Sequence, residues 1–271
     1  MKTIKRITFI CLTLFIAISY SSCRKNDRDT DKETNSARDN SLAENAFAGV
    51  FKSIGEFTDS TSLLRVASCA TFTVDSVGTT SWPKTLTINF GATNCLGADG
   101  NLRRGKIIAS FTGRYRDSLT VITISLVGYY HNNNLVQVGT HTITNNGRNT
   151  AGNLSYTIYV QNASIVTSNG TISWNSNHTR EWIAGESTIS NPMDDVYSIL
   201  GAANGTGVNG NGFNVTIYNP LIVAMNCQYI QQGALTISPF NLSTRYVDFG
   251  SGTCDNTATI TINGVVYNVT M

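Results

Sequence analysis

Leu154-Ser155-Tyr156-Thr157-Ile158-Tyr159-Val160-Gln161 alternates without a break between one set of side chains that is apolar throughout and one that is mostly polar. Successive residues of a strand face opposite ways, so Leu154, Tyr156, Ile158 and Val160 share one face. A strand dry on one side and wet on the other belongs to an antiparallel sheet. Phe213, Val215 and Ile217 alternate in the same way with Asn214, Thr216 and Tyr218. Residues 119–127 (LTVITISLV) are apolar on both faces and predict a central strand covered on each side. Asn-Gly at 146–147, 169–170, 204–205, 211–212 and 263–264, and Asp-Gly at 99–100, predict tight turns. With 35 Thr, 29 Asn and 23 Gly against 4 Pro, the chain has the balance of strands joined by short turns. The expectation is a mainly β, antiparallel fold of about a dozen strands, and so many strands over-twist as one open sheet. They predict a β-sandwich or a strongly curved half-barrel.

The two ends of this β region repeat each other. Residues 85–95 (TLTINFGATNC) fall on residues 244–254 (TRYVDFGSGTC) at a constant offset, with Thr, Phe, Gly and Cys coinciding. Continued without a gap, Gly105 falls on Gly264. The two stretches, 69–115 and 227–271, read as one strand–loop–strand unit used twice, at the two ends of one sheet or pair of sheets. Two copies are too few for a solenoid or propeller. Cys69, Cys95, Cys227 and Cys254 permit three pairings, and the near-equal intervals favour Cys69–Cys95 and Cys227–Cys254, each closing the open end of a hairpin. No CxxC spacing supports zinc, and no metal or other cofactor is expected.

One segment breaks the period of two. Leu42, Ala46, Phe47, Val50, Phe51 and Ile54 recur at three- and four-residue intervals, which predicts an amphipathic helix over 42–57. Ser41 and Glu44 form a capping box at its start. The apolar face has to cover something, most simply the open face or end of the sheet.

Ahead of the helix the chain reads as an address. Lys2, Lys5 and Arg6 precede a twelve-residue apolar run at 7–18, too short to span a bilayer and right for the core of a signal peptide over 1–22. Ser19, Ser21 and Ser22 place small residues just before Cys23. This resembles the lipobox of bacterial lipoproteins and implies acylation at Cys23, with Tyr20 standing where Leu is usual. Residues 23–40 hold five charges of each sign and read as a disordered tether between lipid and a single domain over 41–271. Taken with the Thr/Asn-rich strands and the two Phe-Gly-x-x-x-Cys endings, these features resemble a group of Bacteroidota cell-envelope lipoproteins. The resemblance implies an outer-membrane, lipid-anchored location, on the periplasmic or the surface face, and carries no active site with it. Ser60, Ser76 and Ser118, each following an Asp, resemble Bacteroidota O-glycosylation acceptors.

Residues 41–271 carry 11 basic and 12 acidic side chains, so the domain has no electrostatic footprint for nucleic acid. Catalytic motifs are absent, and His131, His141 and His178 sit among Asn and Thr rather than beside carboxylates. Asp194-Asp195 and the Glu181/Glu186 pair are the only close acid groupings, leaving a glycoside hydrolase as the third reading. Trp174 and Trp182, flanking Arg180, read as a hairpin pair that stacks on sugar rings if exposed and packs the core if buried. Tyr129 and Tyr130 open an Asn-rich stretch at 132–134 that reads first as a loop tip and second as a binding edge, and with Trp174, Arg180 and Trp182 they are the candidate ligand-binding residues. The leading expectation is a non-enzymatic protein with a rigid β surface that binds a glycan or an outer-membrane partner, or serves as a structural component. The alternative is a carrier whose concave sheet, lidded by the 42–57 helix, holds a lipid or other hydrophobic ligand.

Overall fold

In the computed structural model, which describes residues 31–58, 69–75, 81–189 and 191–271, fifteen strands form one sheet. The chain divides into two units, Met1–Lys32 and Glu33–Met271, and the second carries all of these elements. After helix α1 (Asn35–Thr58) come β1 (Thr71–Val74), β2 (Lys84–Asn89), β3 (Cys95–Leu96), β4 (Leu102–Phe111) and β5 (Val121–His131). Then follow β6 (Asn134–Gln137), β7 (Thr140–Arg148), β8 (Leu154–Thr167), β9 (Gly170–Ala184) and β10 (Val196–Thr206). The last five are β11 (Gly212–Ala224), β12 (Gln232–Pro239), β13 (Arg245–Ser251), β14 (Thr257–Ile262) and β15 (Val265–Thr270). Spatial order follows chain order from β1 to β15, with β3 paired to β4 and β7 lying between β5 and β8. Every pairing is antiparallel. No helix among the described residues is long and apolar enough to cross a membrane.

A sandwich is not formed; the sheet curls. Helix α1 is buried on every side from Ser41 to Gly55 apart from a few half-buried positions, and even Lys52 is only 3% exposed. Its residues meet His131 on β5, His141 on β7, Tyr156 on β8, Trp174 on β9 and Tyr197 on β10. Strands sit about 4.8 Å apart and a helix is about 10–12 Å across, so a flat sheet could not reach it from so many strands. Phe47, Val50, Phe51 and Ile54, each 4% exposed or less, supply the packing, at about 1.5–3 kcal/mol per side chain. The helix therefore fills the concave side rather than covering an end.

It also starts earlier than its apolar period predicts. The tether was expected to run to residue 40, but α1 begins at Asn35, and Ser36, Ala37, Asp39 and Asn40 are buried. Specific partners override the charged composition. Ser36 donates to Glu33 through both its amide and its hydroxyl, Asp39 accepts from the Val208 amide at 3.0 Å, and Asn40 accepts from the Trp174 indole at 3.0 Å. Ser41 and Glu44 thus lie inside the helix and do not cap it.

Other expectations fail for equally local reasons. Residues 119–127 are not covered on both faces: Ile122 and Ile124 point inward, Val127 is half exposed, and Leu119 is 78% exposed in a turn at φ 68°. Asn146-Gly147 is a bulge within β7 and Asn204-Gly205 lies inside β10, whereas Asn263-Gly264 does turn the β14–β15 hairpin. Trp174 and Trp182 stand on one strand, β9, and not across a hairpin.

The disulfides are Cys69–Cys95 and Cys227–Cys254, bracketing the β1–β2 and β12–β13 hairpins. The repeat extends to local geometry. Asn89 and Asp248 each accept from the amide two residues on, Gly91 and Gly250 take φ of 82° and 84°, and Phe90 and Phe249 are both 6% exposed. Past the cysteines the gapless match breaks. Asn89 pairs with Lys106 on β4 but Asp248 with Thr259 on β14, so β14 enters six residues early, and Gly264 is a hairpin turn where Gly105 is a strand bulge. Replacing Cys227 and Cys254 together by Ser is expected to cost about 3–4 kcal/mol, the chain entropy released by opening a loop of that size. Urea unfolding measures it, and an unchanged midpoint contradicts the expectation.

Candidate functional site

The helix–sheet interface is not a simple apolar core. Glu44 from α1 faces His178 on β9, with Oε1 and Nε2 3.5 Å apart, beyond hydrogen-bond length. Burial pushes the Glu44 carboxyl up to about 8, against the pull of Arg180, while burial and then Arg180 push His178 down to about 4. At pH 7 the pair is neutral on both sides. His141, fully buried against Phe47, is pushed down to about 3 by the same two causes. Arg180 itself is 5% exposed, its guanidinium 3.9 Å from the Phe51 ring centre. His178 does have a carboxylate neighbour, then, but it comes from the distant helix.

A second polar group lies where the β3–β4 loop and the segment at Cys227 meet α1. Arg103 on β4 grips Asp99 with two hydrogen bonds of 2.8 and 2.6 Å, and Asp99 also accepts from the amide and side chain of Asn101. Burial alone would raise the Asp99 carboxyl, but Arg103, with help from Asn101 and Lys52, holds it well below the usual carboxylate range. Lys52 reaches across from α1 and donates to the Cys227 carbonyl. Gly97 is needed here, because a Cβ would lie 2.2 Å from the Arg103 guanidinium. His131, beside this group, is pushed down to about 3 by burial and then by Arg103 and Lys52, with Asp99 opposing.

Of the two readings of Trp174 and Trp182, packing in the core is the one the fold adopts, and no sugar-stacking surface forms. Trp174 and Trp182 are each 1% exposed, Tyr129 is fully buried and Arg180 is enclosed. Trp174 stacks on Phe47 at 5.3 Å and Trp182 packs against Tyr197 at 5.5 Å, because the inward face of β9 meets α1 and β10. Tyr130 is half-buried with the Arg104 guanidinium 3.5 Å over its ring, so its face is taken. The acids are likewise engaged: Glu181 accepts from Asn149 and Asn153, Glu186 pairs with Arg148, and Asp194 accepts from Thr188. Ser118 is exposed in its turn. Cys23, Ser60, Ser76, the signal segment 1–22 and the tether up to residue 30 lie outside the described residues. No group of three or more His, Cys, Asp or Glu that could hold a metal occurs among the described residues.

Among the clefts the described residues open to solvent is one of about 550 Å³ where the first and last thirds of the sheet approach over the N-terminal half of α1. Asn101, His131, Asn132 and Asn134 line one wall, and Gln228, Tyr229, Thr270 and Met271 another. Asn35, Arg38, Asp39 and Asn45 rise from the helix, and the β8–β9 tip adds Thr167 to Asn169. The walls nearly touch, since a Cβ on Gly100 would lie 3.1 Å from the Gln228 amide oxygen. Of these residues the Asn-rich stretch at 132–134 stood out in the sequence as a loop tip. Asn35, Asn45, Asn101 and Gln228 did not, for they converge only once the sheet has curled.

Fold and cleft together define a class: one open antiparallel sheet closed around its own N-terminal helix, with an amide-lined opening at the seam. No family model matches the chain, and comparison with curated proteins and with solved structures returns no match either.

Proposed function

We propose that the chain is a lipid-anchored lipoprotein of the Bacteroidota cell envelope, acylated at Cys23, that acts by binding rather than catalysis through a rigid β scaffold. The observation carrying this reading is the filled interior. A carrier of the kind expected needs an apolar cavity of several hundred Å³, and here Phe47, Val50, Phe51 and Ile54 occupy the concave side. Carboxylates bound to Asn, Arg and Thr partners do not favour a hydrolase. What is left for function is surface, and the scaffold behind it is stapled by two disulfides and a buried helix. The partner is a glycan or an outer-membrane component, and nucleic acid is disfavoured by the nearly balanced charge.

The test is metabolic labelling of the full chain with an alkyne-bearing palmitate in a Gram-negative host. Wild-type protein is expected in the outer-membrane fraction with label attached, and Cys23→Ser is expected unlabelled. Solvent extraction of the purified protein should release no stoichiometric free lipid. An unlabelled wild-type chain overturns the anchored reading; an equimolar extracted lipid restores the carrier.

A further inference from the structure

We propose that the seam cleft is a binding site for an uncharged, hydroxyl-rich ligand, a neutral oligosaccharide; this deepens the binding reading above and rests on it. The volume, about 550 Å³, falls within the roughly 300–1,000 Å³ of small-ligand sites. Its lining chemistry is dominated by primary amides, among them Asn35, Asn45, Asn101, Asn134, Asn169 and Gln228 from five separate parts of the fold. Each amide offers two donors and an acceptor in one plane. Sugar hydroxyls both donate and accept, so neighbouring hydroxyls on a ring can meet one amide with two bonds. The side chains of Asn35, Asn45, Asn169 and Gln228 make no hydrogen bond within the protein among the described residues, which leaves their full capacity to a ligand.

Charge argues for neutrality. Among the described lining residues Arg38 is the one permanently cationic side chain, and Asp39 stands beside it with its carboxylate held by the Val208 amide. A peptide strand would call for an open sheet edge or a row of apolar pockets, and the apolar lining is limited to Leu42, Val208, Tyr229 and Met271.

The floor is preorganised. Asn101 is fixed by two bonds to the buried Asp99 and accepts from Asn132 at 2.7 Å. His131, 3% exposed, lines the cleft, and its Nε2 has no hydrogen-bond partner. That nitrogen packs against Gly49, where a Cβ would approach to 2.8 Å, so the helix makes room for the ring. Holding polar groups in place before the ligand arrives lowers the cost of ordering them on binding.

The experiment is calorimetric titration of the full, detergent-solubilised chain with hexasaccharides of xylose, glucose, mannose and N-acetylglucosamine, alongside oligogalacturonate and a neutral Gly/Ser/Asn-rich peptide as comparators. At least one neutral hexasaccharide is expected to bind, with an affinity unchanged between 0.05 and 0.5 M NaCl. The double variant Asn45→Ala/Asn169→Ala is expected to weaken it at least tenfold while leaving the melting temperature in place. Ser168→Trp, which fills the cleft from an exposed hairpin tip, should abolish it. Binding to none of the hexasaccharides overturns the assignment, as does salt-sensitive binding of the polyanion alone, binding of the peptide alone, or binding that survives Ser168→Trp. A chain that carries its acyl label yet ignores the panel refutes the ligand class and leaves the anchored binding protein standing; an unlabelled chain refutes that reading itself.

Discussion

Replacing Asp99 by Ala is expected to destabilise the protein by about 3–5 kcal/mol, because it leaves a buried guanidinium without its carboxylate. The Asp99 side chain is fully enclosed and that of Arg103 is 3% exposed, so water cannot replace the lost partner without opening the β3–β4 loop. Asn101 loses two hydrogen bonds in the same change. Removing both charges tells a different story. Asp99→Leu with Arg103→Met replaces an ion pair by apolar volume, an exchange that is often neutral or favourable. Most of the stability is therefore expected to return in the double variant, while the floor of the cleft, which depends on Asp99 to hold Asn101, stays disordered. Urea midpoints for wild type and the two variants measure the first effect, and oligosaccharide titration the second. A single variant as stable as wild type removes the ion pair from the list of forces holding the β3–β4 loop in place.

The parts of this fold that could be read directly were those written in local chemistry. Alternation in β8 and β11 identified their inward faces, since a strand's two faces are set by parity alone. The cysteine intervals and the Phe-Gly motif located two hairpins, because a disulfide and a left-handed glycine are short-range constraints. Residues 35–40 misled because composition speaks only for an average environment. Asp39 and Asn40 look solvated until Val208 and Trp174 are brought to them from far along the chain. Residues 119–127 misled in the opposite direction: apolar side chains on the outer face of β5 are simply exposed, as isolated ones often are.

The cleft was largely illegible for a geometric reason. Its amides come from the helix, three hairpin turns and the segment after Cys227, and nothing in their spacing relates them. They meet because the sheet curls until the turns around β4 and β5 approach the segment before β12 and the end of β15. The tryptophans were the more conspicuous signal and the weaker guide. A large aromatic on an alternating strand is committed to one face by parity, and the inward face of β9 is the one that α1 fills.

The same filling has its largest consequence in acid. His131, His141 and His178 are buried and neutral, pushed down to about 3, 3 and 4, whereas in an unfolded chain each titrates near 6.5. A folded-state pKa below the unfolded one means the unfolded chain binds more protons as the pH falls, so stability is lost from about pH 6.5 downward. Between pH 7 and pH 4 the three histidines together remove roughly 9 kcal/mol. Glu44 works in the other direction. Its carboxyl is raised to about 8, so at neutral pH folding must take up a proton, and acidification toward 4.5 returns about 3 kcal/mol. The net expected loss is roughly 6 kcal/mol at pH 4, comparable to the whole stability of an ordinary domain. Asp99, held low by Arg103, adds to the loss only as the pH falls through its unfolded value near 3.9. Glu44→Gln separates the two contributions. It is expected to stabilise the protein by about 3 kcal/mol at pH 7, where no proton need be taken up, and to steepen the acid limb to the full histidine loss. Chemical denaturation at pH 7, 5 and 4 for both proteins reads this directly. A wild-type stability that is level or rising on acidification would mean that the histidines are protonated in the fold, and that α1 and β9 meet through ion pairs instead of a neutral, closely packed interior.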